Sequence, residues 1–566
     1  MRFDKSSEQI YNFLFQMSVK GKLEIGKLNV VLTEVVRRHE ALRTALVIDE
    51  KTGQVVQRVI AAPKAFKAVE VELAKGAGQA GIDKAYAAAI AKSPMDVGKG
   101  DVMRVWVFRE SNVKDQCTLL FVAHHAAFDG WSLKLLLEEV GALYSGRPVP
   151  ALPIQYIDYS VHEEKLLAGD GMAESLRFWK AQLAGAASLA LDLPLDRPRP
   201  AQRSTKSGTV EMKFAEAVER GIEAWQKQTG STRFMTLLAS VQLLLHRCSQ
   251  TQMTDICVGS LVANRYRPEL EPLIGMFVNT LAYRTNVDPA QSFETLQKNV
   301  IGVAGAALKH SNVPIDLLVR ELVKDKGSGV SPFFQVTFRD ESDVTGASAG
   351  STYLNIPGSK VTPIISGVRP AFFDIDIVVN ANRAMFVYSK DVFDEATVMG
   401  MAERWSMLLN QLFVKGLTAV PVHQLDVMLP LDHKVLKELN NTDYNFGPLR
   451  CVHDMFLEKA AQQPSKTAVV LDGNQLTFAE LMDRGRALAA RLRELGVGPN
   501  ALVAQCVDRS LEMIVGMVGI TLAGGVYCPL HPDHPPDRLL HLCNQSQAKV
   551  LLTTKALYAK FKKVEL

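Results

Sequence analysis

From Thr118 to Ala123 the chain reads TLLFVA, uncharged throughout, and then meets two adjacent histidines, His124 and His125. Small and aromatic residues follow, then Asp129 and Gly130. Beyond them Leu133, Leu136, Leu137, Val140 and Leu143 recur at spacings of three and four, which predicts a helix with one buried face. A buried strand, a short loop and a helix in direct succession call for α/β packing, with the histidines where the strand ends. At such an end a side chain can face a cleft while its backbone stays rigid. Neighbours on a strand point to opposite faces, so His124 and His125 cannot both ligate one metal ion. The plain reading is a pair of solvated strand-end polar groups. The sharper one has one imidazole lining a cleft and the other turned inward as packing. Asp129 has two roles open to it: orienting His125 as a triad member, or lying buried and paired with a cation that holds the loop. Gly130 lets the chain turn sharply before the helix. No GxSxG motif is present and no cysteine has a nucleophile-like setting, so chemistry without an enzyme-borne nucleophile is expected.

At 566 residues the chain exceeds one core, and division by ~150 residues per domain gives about 3.8 domains as a prior. The net charge of +4, from 64 basic and 60 acidic residues, carries no argument for nucleic acid, and none is expected as a partner. No apolar run of about 18 residues occurs, so no membrane association is expected, and the start MRFDKSSEQIYNF lacks a signal-peptide layout. The 7 cysteines are scattered and never form CxxC, which reads as reduced core residues of a cytoplasmic protein without a metal site.

Texture divides the chain. The first block, 1–190, mixes helices and strands. LDLPLDRPRPAQRSTKSG, 191–208, is rich in proline and charge and is expected to be a linker. The block 209–430 is again mixed α/β, with a hairpin expected to turn at Asn380–Asn382. A second linker is expected over 431–450, carrying NNTDYNFGPLR. In 451–566 helices alternate with strands, implying a parallel sheet short of a complete α/β domain.

HHAAFDG fits HHxxxDG, and further segments follow it in a consistent order. RRHEALRT (Arg37–Thr44) resembles RHExLRT, YIDYS (Tyr156–Ser160) resembles YxDYA, and IGMFVNTLAYR (Ile274–Arg284) resembles IGxFVNTLxxR. HSNVPIDLLV (His310–Val319) and PFFQVTF (Pro332–Phe338) complete the series. In these features the chain resembles the condensation domains of nonribosomal peptide synthetases. The resemblance covers roughly residues 10–430 and implies a two-lobed chloramphenicol acetyltransferase-like fold of mixed sheets and helices. LTFAEL (Leu476–Leu481) and LAGGVYCPLHPDHP (Leu522–Pro535) are similar to the opening of an adenylation (AMP-binding) domain. The phosphate loop that should follow is absent, so this segment is expected to be incomplete and unable to use ATP and Mg. The family's opening helix has no counterpart before Ile10, so the start is expected to be clipped.

The resemblance implies that donor and acceptor substrates arrive as thioesters on the phosphopantetheine arms of two carrier proteins, with no cofactor bound directly. The acceptor α-amine attacks the donor thioester, and the enzyme's main work is alignment. His125 is implied at the centre of the tunnel, either taking a proton or holding the amine and developing charge. Asp129 is implied to pair with Arg284 as scaffold, with the backbone near Gly130 stabilising an oxyanion. DGWS (Asp129–Ser132) looks more like domains joining an L-donor to an L-acceptor. Aspartates in place of both histidines, as in heterocyclising relatives, are absent, and an adenylation-like segment following directly argues against an epimerisation domain.

Other readings stand beside this one. A domain of the same fold that only docks carriers would bind them without making product. A stand-alone acyltransferase would accept a soluble amine or alcohol. GAGQAG (Gly76–Gly81) formally fits the dinucleotide signature GxGxxG, but the preceding VEVEL alternates as a half-exposed strand, unlike a doubly buried Rossmann strand.

Overall fold

The strand Gln116–His124 is the middle of a five-stranded sheet, ordered Lys360–Ile364, Asn12–Lys20, Gln116–His124, Met103–Glu110 and Val69–Leu73. Its uninterrupted apolar run has a physical cause, since both faces are covered. Cys117, Leu119, Phe121 and Ala123 join a core with the helices Ile25–Arg38 and Gly130–Tyr144. Leu120 and Val122 face the other way and pack with Trp106 and Phe108 against Ile82 and Ile90 of the helix Gly78–Lys92. Each large side chain buried this way contributes about 1.5–3 kcal/mol. The computed structural model describes residues 11–561 apart from 112, 114, 187–189, 202, 324–329, 343–352 and 365–369. The expected clipped start before Ile10 lies outside the described residues.

A second, six-stranded sheet is ordered Ser207–Lys213, Arg383–Ser389, Ile375–Asn380, Val336–Asp340, Asp255–Val262 and Asn279–Asn286. Its hairpin turns after Asn380, as the sequence predicts, with Ala381 in the left-handed region at φ 49°. The helices Arg233–Cys248 and Glu395–Phe413 supply much of its core. Both sheets belong to one compact unit, residues 1–436, and residues 437–566 form another.

The chain does not divide between the sheets as its composition suggests. Met172, Trp179 and Leu183, from the block expected to end at 190, lie in the core of the second sheet. Leu354, Ile356 and Val361 cross back to the first core, where Lys360–Ile364 pairs antiparallel with Asn12–Lys20. The stretch 191–208 is also no free linker. Leu191 and Leu193 are buried, and Arg199 and Arg203 both reach the carboxylate of Asp374, at 2.8 and 2.9 Å. Proline and charge there mark a strap fastened by ion pairs rather than a solvated connection. The expected linker 431–450 starts inside a helix, Pro430–Leu439, and is exposed beyond it.

In the other unit the strand Leu502–Cys506 pairs in parallel with Val526–Pro529 and Val550–Thr553. The helix Phe478–Glu494 is started by a capping box between Thr477 and Glu480. Among the described residues no helix is long and apolar enough to cross a membrane.

Candidate functional site

His124 is the last residue of its strand and pairs across the sheet with Asn12. Its Nδ1 accepts the Ala126 N–H at 3.2 Å, and burial, with His125 adding to it, holds the ring's pKa below the ordinary histidine value. His125 lies one residue beyond, its N–H bonded to the Tyr11 carbonyl at 2.7 Å. Its ring meets Phe13 edge-on, with centroids 6.1 Å apart, and Phe13 in turn packs on Phe128. The His125 Nδ1 is buried and, among the described residues, has no hydrogen-bond partner. The two imidazoles therefore differ, one tied into its own loop and the other with a nitrogen uncommitted.

Asp129 is the N-cap of the helix Gly130–Tyr144 and is 1% exposed. Its Oδ1 accepts the Ser132 N–H at 2.8 Å, and its Oδ2 accepts the Phe277 N–H at 3.1 Å. Arg265 Nη2 lies 3.2 Å from Oδ1 and 3.4 Å from Oδ2. The Ser132 hydroxyl shares its proton between Asp129 Oδ1 at 2.7 Å and the Gly275 carbonyl at 2.9 Å, and accepts the Gly275 N–H at 3.1 Å. This carboxylate is fully engaged in joining the helix start to the segment Arg265–Phe277. Gly130 opens the helix, where the first N–H groups have no intrahelical partner.

The expected pairing of Asp129 with Arg284 does not form. Arg284 places Nε and Nη2 on Asp255, at 2.8 and 2.7 Å, and Nη1 on the carbonyls of Gln182 and Ala184. The reason is the strand register, which sets Arg284 opposite Cys257 within the sheet, two residues from Asp255. The cation that meets Asp129 is Arg265, whose side chain is 2% exposed. Burial pulls the Arg265 pKa below its ordinary value, against the pull of Asp129. Its guanidinium carbon lies 4.1 Å from the centre of the Phe277 ring.

Sequence reading missed Arg265 and Ser132. Arg265 stands 136 residues from Asp129, and nothing in its setting, VANRYRPEL, distinguishes it from a surface arginine. The motif segments themselves meet at this place. Tyr156 and Tyr159 of YIDYS pack on Phe277, and the Tyr156 hydroxyl donates to the Met276 carbonyl at 2.9 Å. A Cβ at Gly275 would stand 2.1 Å from the Tyr156 ring, so that motif glycine is required by close approach. In RRHEALRT, Arg38 and His39 both bind Glu139, on the helix that Asp129 caps. Asn279 donates to the carbonyls of Ser311 and Val313, tying in the HSNVP segment.

The glycine-rich GAGQAG loop is closed to a phosphate. The Glu110 carboxylate accepts the N–H groups of Gly76 and Gly78, at 3.1 and 2.9 Å, and so occupies the anion niche at that helix start. The strand before it, Val69–Leu73, lies at the sheet edge. Cys451, His453 and Asp454 bring ligand-type atoms within 4.8 Å of one another, but at the start of the helix Val452–Gln462, where the dipole disfavours a cation.

Comparison with known proteins adds the wider frame. The condensation-domain family profile matches residues 3–436, and that of AMP-binding enzymes matches residues 456–565. A linear gramicidin synthase of Brevibacillus parabrevis is 35% identical over 579 residues, covering 97% of this chain and 11% of that protein. Malpinin synthetase of Mortierella alpina is 32% identical over 564 residues, with 97% and 7% covered. The chain thus spans 11% or less of the length of these curated relatives. A four-domain nonribosomal peptide synthetase, solved with AMP and glycine, shares the fold at a TM-score of 0.73 and 22% identity, covering 99% of this chain and 42% of that one.

Proposed function

The chain belongs to the condensation-domain family, and from that premise we propose that its first unit joins two carrier-tethered substrates through an amide bond. The acceptor α-amine attacks the thioester carbonyl of the donor, a tetrahedral intermediate forms, and it collapses with departure of the carrier thiol. The amine's pKa is about 7.7–8.0, so a useful fraction is already unprotonated near neutrality and no strong base is needed. His125 meets the attacking amine. It takes up the proton shed as the C–N bond forms or holds the charge that develops there. His124 fixes the loop from behind. The backbone near Gly130 helps to stabilise the developing oxyanion.

The observation that carries this reading is the contrast in commitment between His125 and Asp129. The His125 Nδ1 is buried without a partner among the described residues, whereas the Asp129 carboxylate is occupied by Ser132, Arg265 and Phe277. An imidazole with no carboxylate behind it is poorly equipped as a triad base and well suited to positioning. The bulk of the rate then comes from holding two tethered reactants in line. The DGWS run supports an L-donor and L-acceptor pair, and the partners are a donor and an acceptor carrier protein with phosphopantetheine arms. The 7 free cysteines support a reducing, cytoplasmic setting.

His125→Ala tests the proposal. In a single turnover between two loaded carrier proteins, amide formation is expected to fall about 10²-fold or more, with the melting temperature unchanged. Transfer at the wild-type rate by this variant refutes the role of His125, and carrier binding without product in the wild type selects a docking module instead.

A further inference from the structure

Resting on the condensation reading, we propose that Trp131 is a positioning residue. It is a clasp that fixes Arg265, and through Asp129 the loop bearing His125, by fastening the helix start to the segment Arg265–Phe277. Of the 5 tryptophans, Trp106, Trp179, Trp225 and Trp405 are core residues at 0–8% exposure. Trp131 alone is partly exposed, so its indole is not there mainly to fill a core. Its indole N–H donates to the Glu271 carbonyl at 3.1 Å, across 140 residues of sequence. The Arg265 guanidinium carbon stands 5.9 Å from the centre of the Trp131 ring, with the Phe277 ring on the same cation. Lys134 Nζ lies 5.8 Å from the Trp131 ring and 5.6 Å from the Tyr353 ring, bringing in the segment that crosses back to the first sheet. One ring thus touches chain from the helix, from the loop that supplies Arg265 and, through Lys134, from the crossover.

The arrangement explains why a large aromatic stands next to the helix cap. Arg265 binds Asp129 through a single nitrogen, Nη2, and its Nε is buried without a partner among the described residues. Its orientation is therefore set by the two rings and by the carbonyls of Leu270 and Leu273, which its Nη1 meets at 2.6 and 2.7 Å. Loss of the Trp131 ring removes one wall from the cation and the tie to Glu271. Arg265 is then held less firmly against Asp129, and the loop before it, still tied through Ser132 and Phe277, loses part of its restraint. A displacement of about 1 Å at a reacting group is enough to cost a factor of up to 10² in rate.

Trp131→Ala and Trp131→Phe are compared with wild type and His125→Ala by single-turnover amide formation over a range of carrier concentrations, alongside thermal melts. The expected result is a saturating rate lowered about tenfold in Trp131→Ala, with half-saturation within about twofold of wild type. Melting falls little, and Trp131→Phe recovers much of the rate because a ring still faces Arg265. A saturating rate in Trp131→Ala within about twofold of wild type overturns the proposal, as does a loss that Trp131→Phe does not relieve. If folded wild type forms no amide, the condensation reading fails by itself. The clasp is then read from hydrogen exchange over residues 124–132, which must speed up in Trp131→Ala more than in Trp131→Phe, and unchanged exchange sinks it.

Discussion

Asp129 and Asp255 each hold an arginine, and the two pairs are built differently. The Asp255–Arg284 pair is bidentate, its partners lie on neighbouring strands, and its side chains are 33% and 19% exposed. The Asp129–Arg265 pair is made through one nitrogen, spans 136 residues, and has both side chains 2% exposed. By contact geometry alone the first pair looks stronger. By consequence of loss the second matters more, because water reaches the Asp255 pair but not the other. An exposed partner left alone is rehydrated, whereas Arg265 or Asp129 left alone is a charge sealed into the interior. The motif arginine thus stitches a sheet, while the buried pair joins the loop after the histidines to the second half of the unit.

The largest effect is expected at the sealed pair. Asp129→Ala should lower unfolding free energy by about 3–5 kcal/mol, read as a fall in the denaturant midpoint at unchanged slope. Removing Arg265 as well should cost much less than the two single losses together, because no lone charge then remains; a double-mutant cycle measures this directly. Additive losses would mean that the two side chains do not act as a pair. Arg284→Ala sets the other side of the comparison. It should cost about 1 kcal/mol and leave the rate of amide formation as in wild type, since its partners are Asp255 and the carbonyls of Gln182 and Ala184. A rate collapse in Arg284→Ala would restore that residue to the site and undo the distinction.

How much of this was legible follows from the range of the interactions concerned. The strand, loop and helix around HHAAFDG are local, fixed by apolar spacing and by an N-capping aspartate three residues before Ser132, and they stand where the sequence places them. The exclusion of GAGQAG as a dinucleotide site was legible from VEVEL, although the carboxylate that fills the niche, Glu110, comes from the adjacent strand. What was not legible is long-range. Charge and proline in 191–208 look alike in a solvated linker and in a strap, and only Asp374, far along the chain, separates the two. The return of Leu354, Ile356 and Val361 to the first core leaves no periodic trace, because so short a segment shows no more than isolated apolar residues. Arg265 was missed for the same reason: a side chain's partner across 136 residues is a property of the fold and not of its neighbours.

The smallest effect separates the two histidines. Burial and the neighbouring His125 hold His124 below the ordinary histidine pKa of 6.5, so in the folded state its neutral form is favoured. Below that value the unfolded chain binds the proton more readily than the folded one. The stabilising contribution is therefore complete above about pH 6.5 and is lost as pH falls toward the lower, folded pKa. His246 has the same sign, its pKa also lowered chiefly by burial. Melting temperature should thus decline from about pH 7 toward about pH 5, and His124→Gln should flatten part of that decline while His246 supplies the rest. The Ala126 N–H needs an acceptor at Nδ1, and a glutamine oxygen can stand in for it, so the variant tests the proton and not the bond. An unchanged pH profile in His124→Gln would mean that His124 is as open to water as a strand-end residue with no place in the loop. The contrast between a tied histidine and an uncommitted one would then lose its first member.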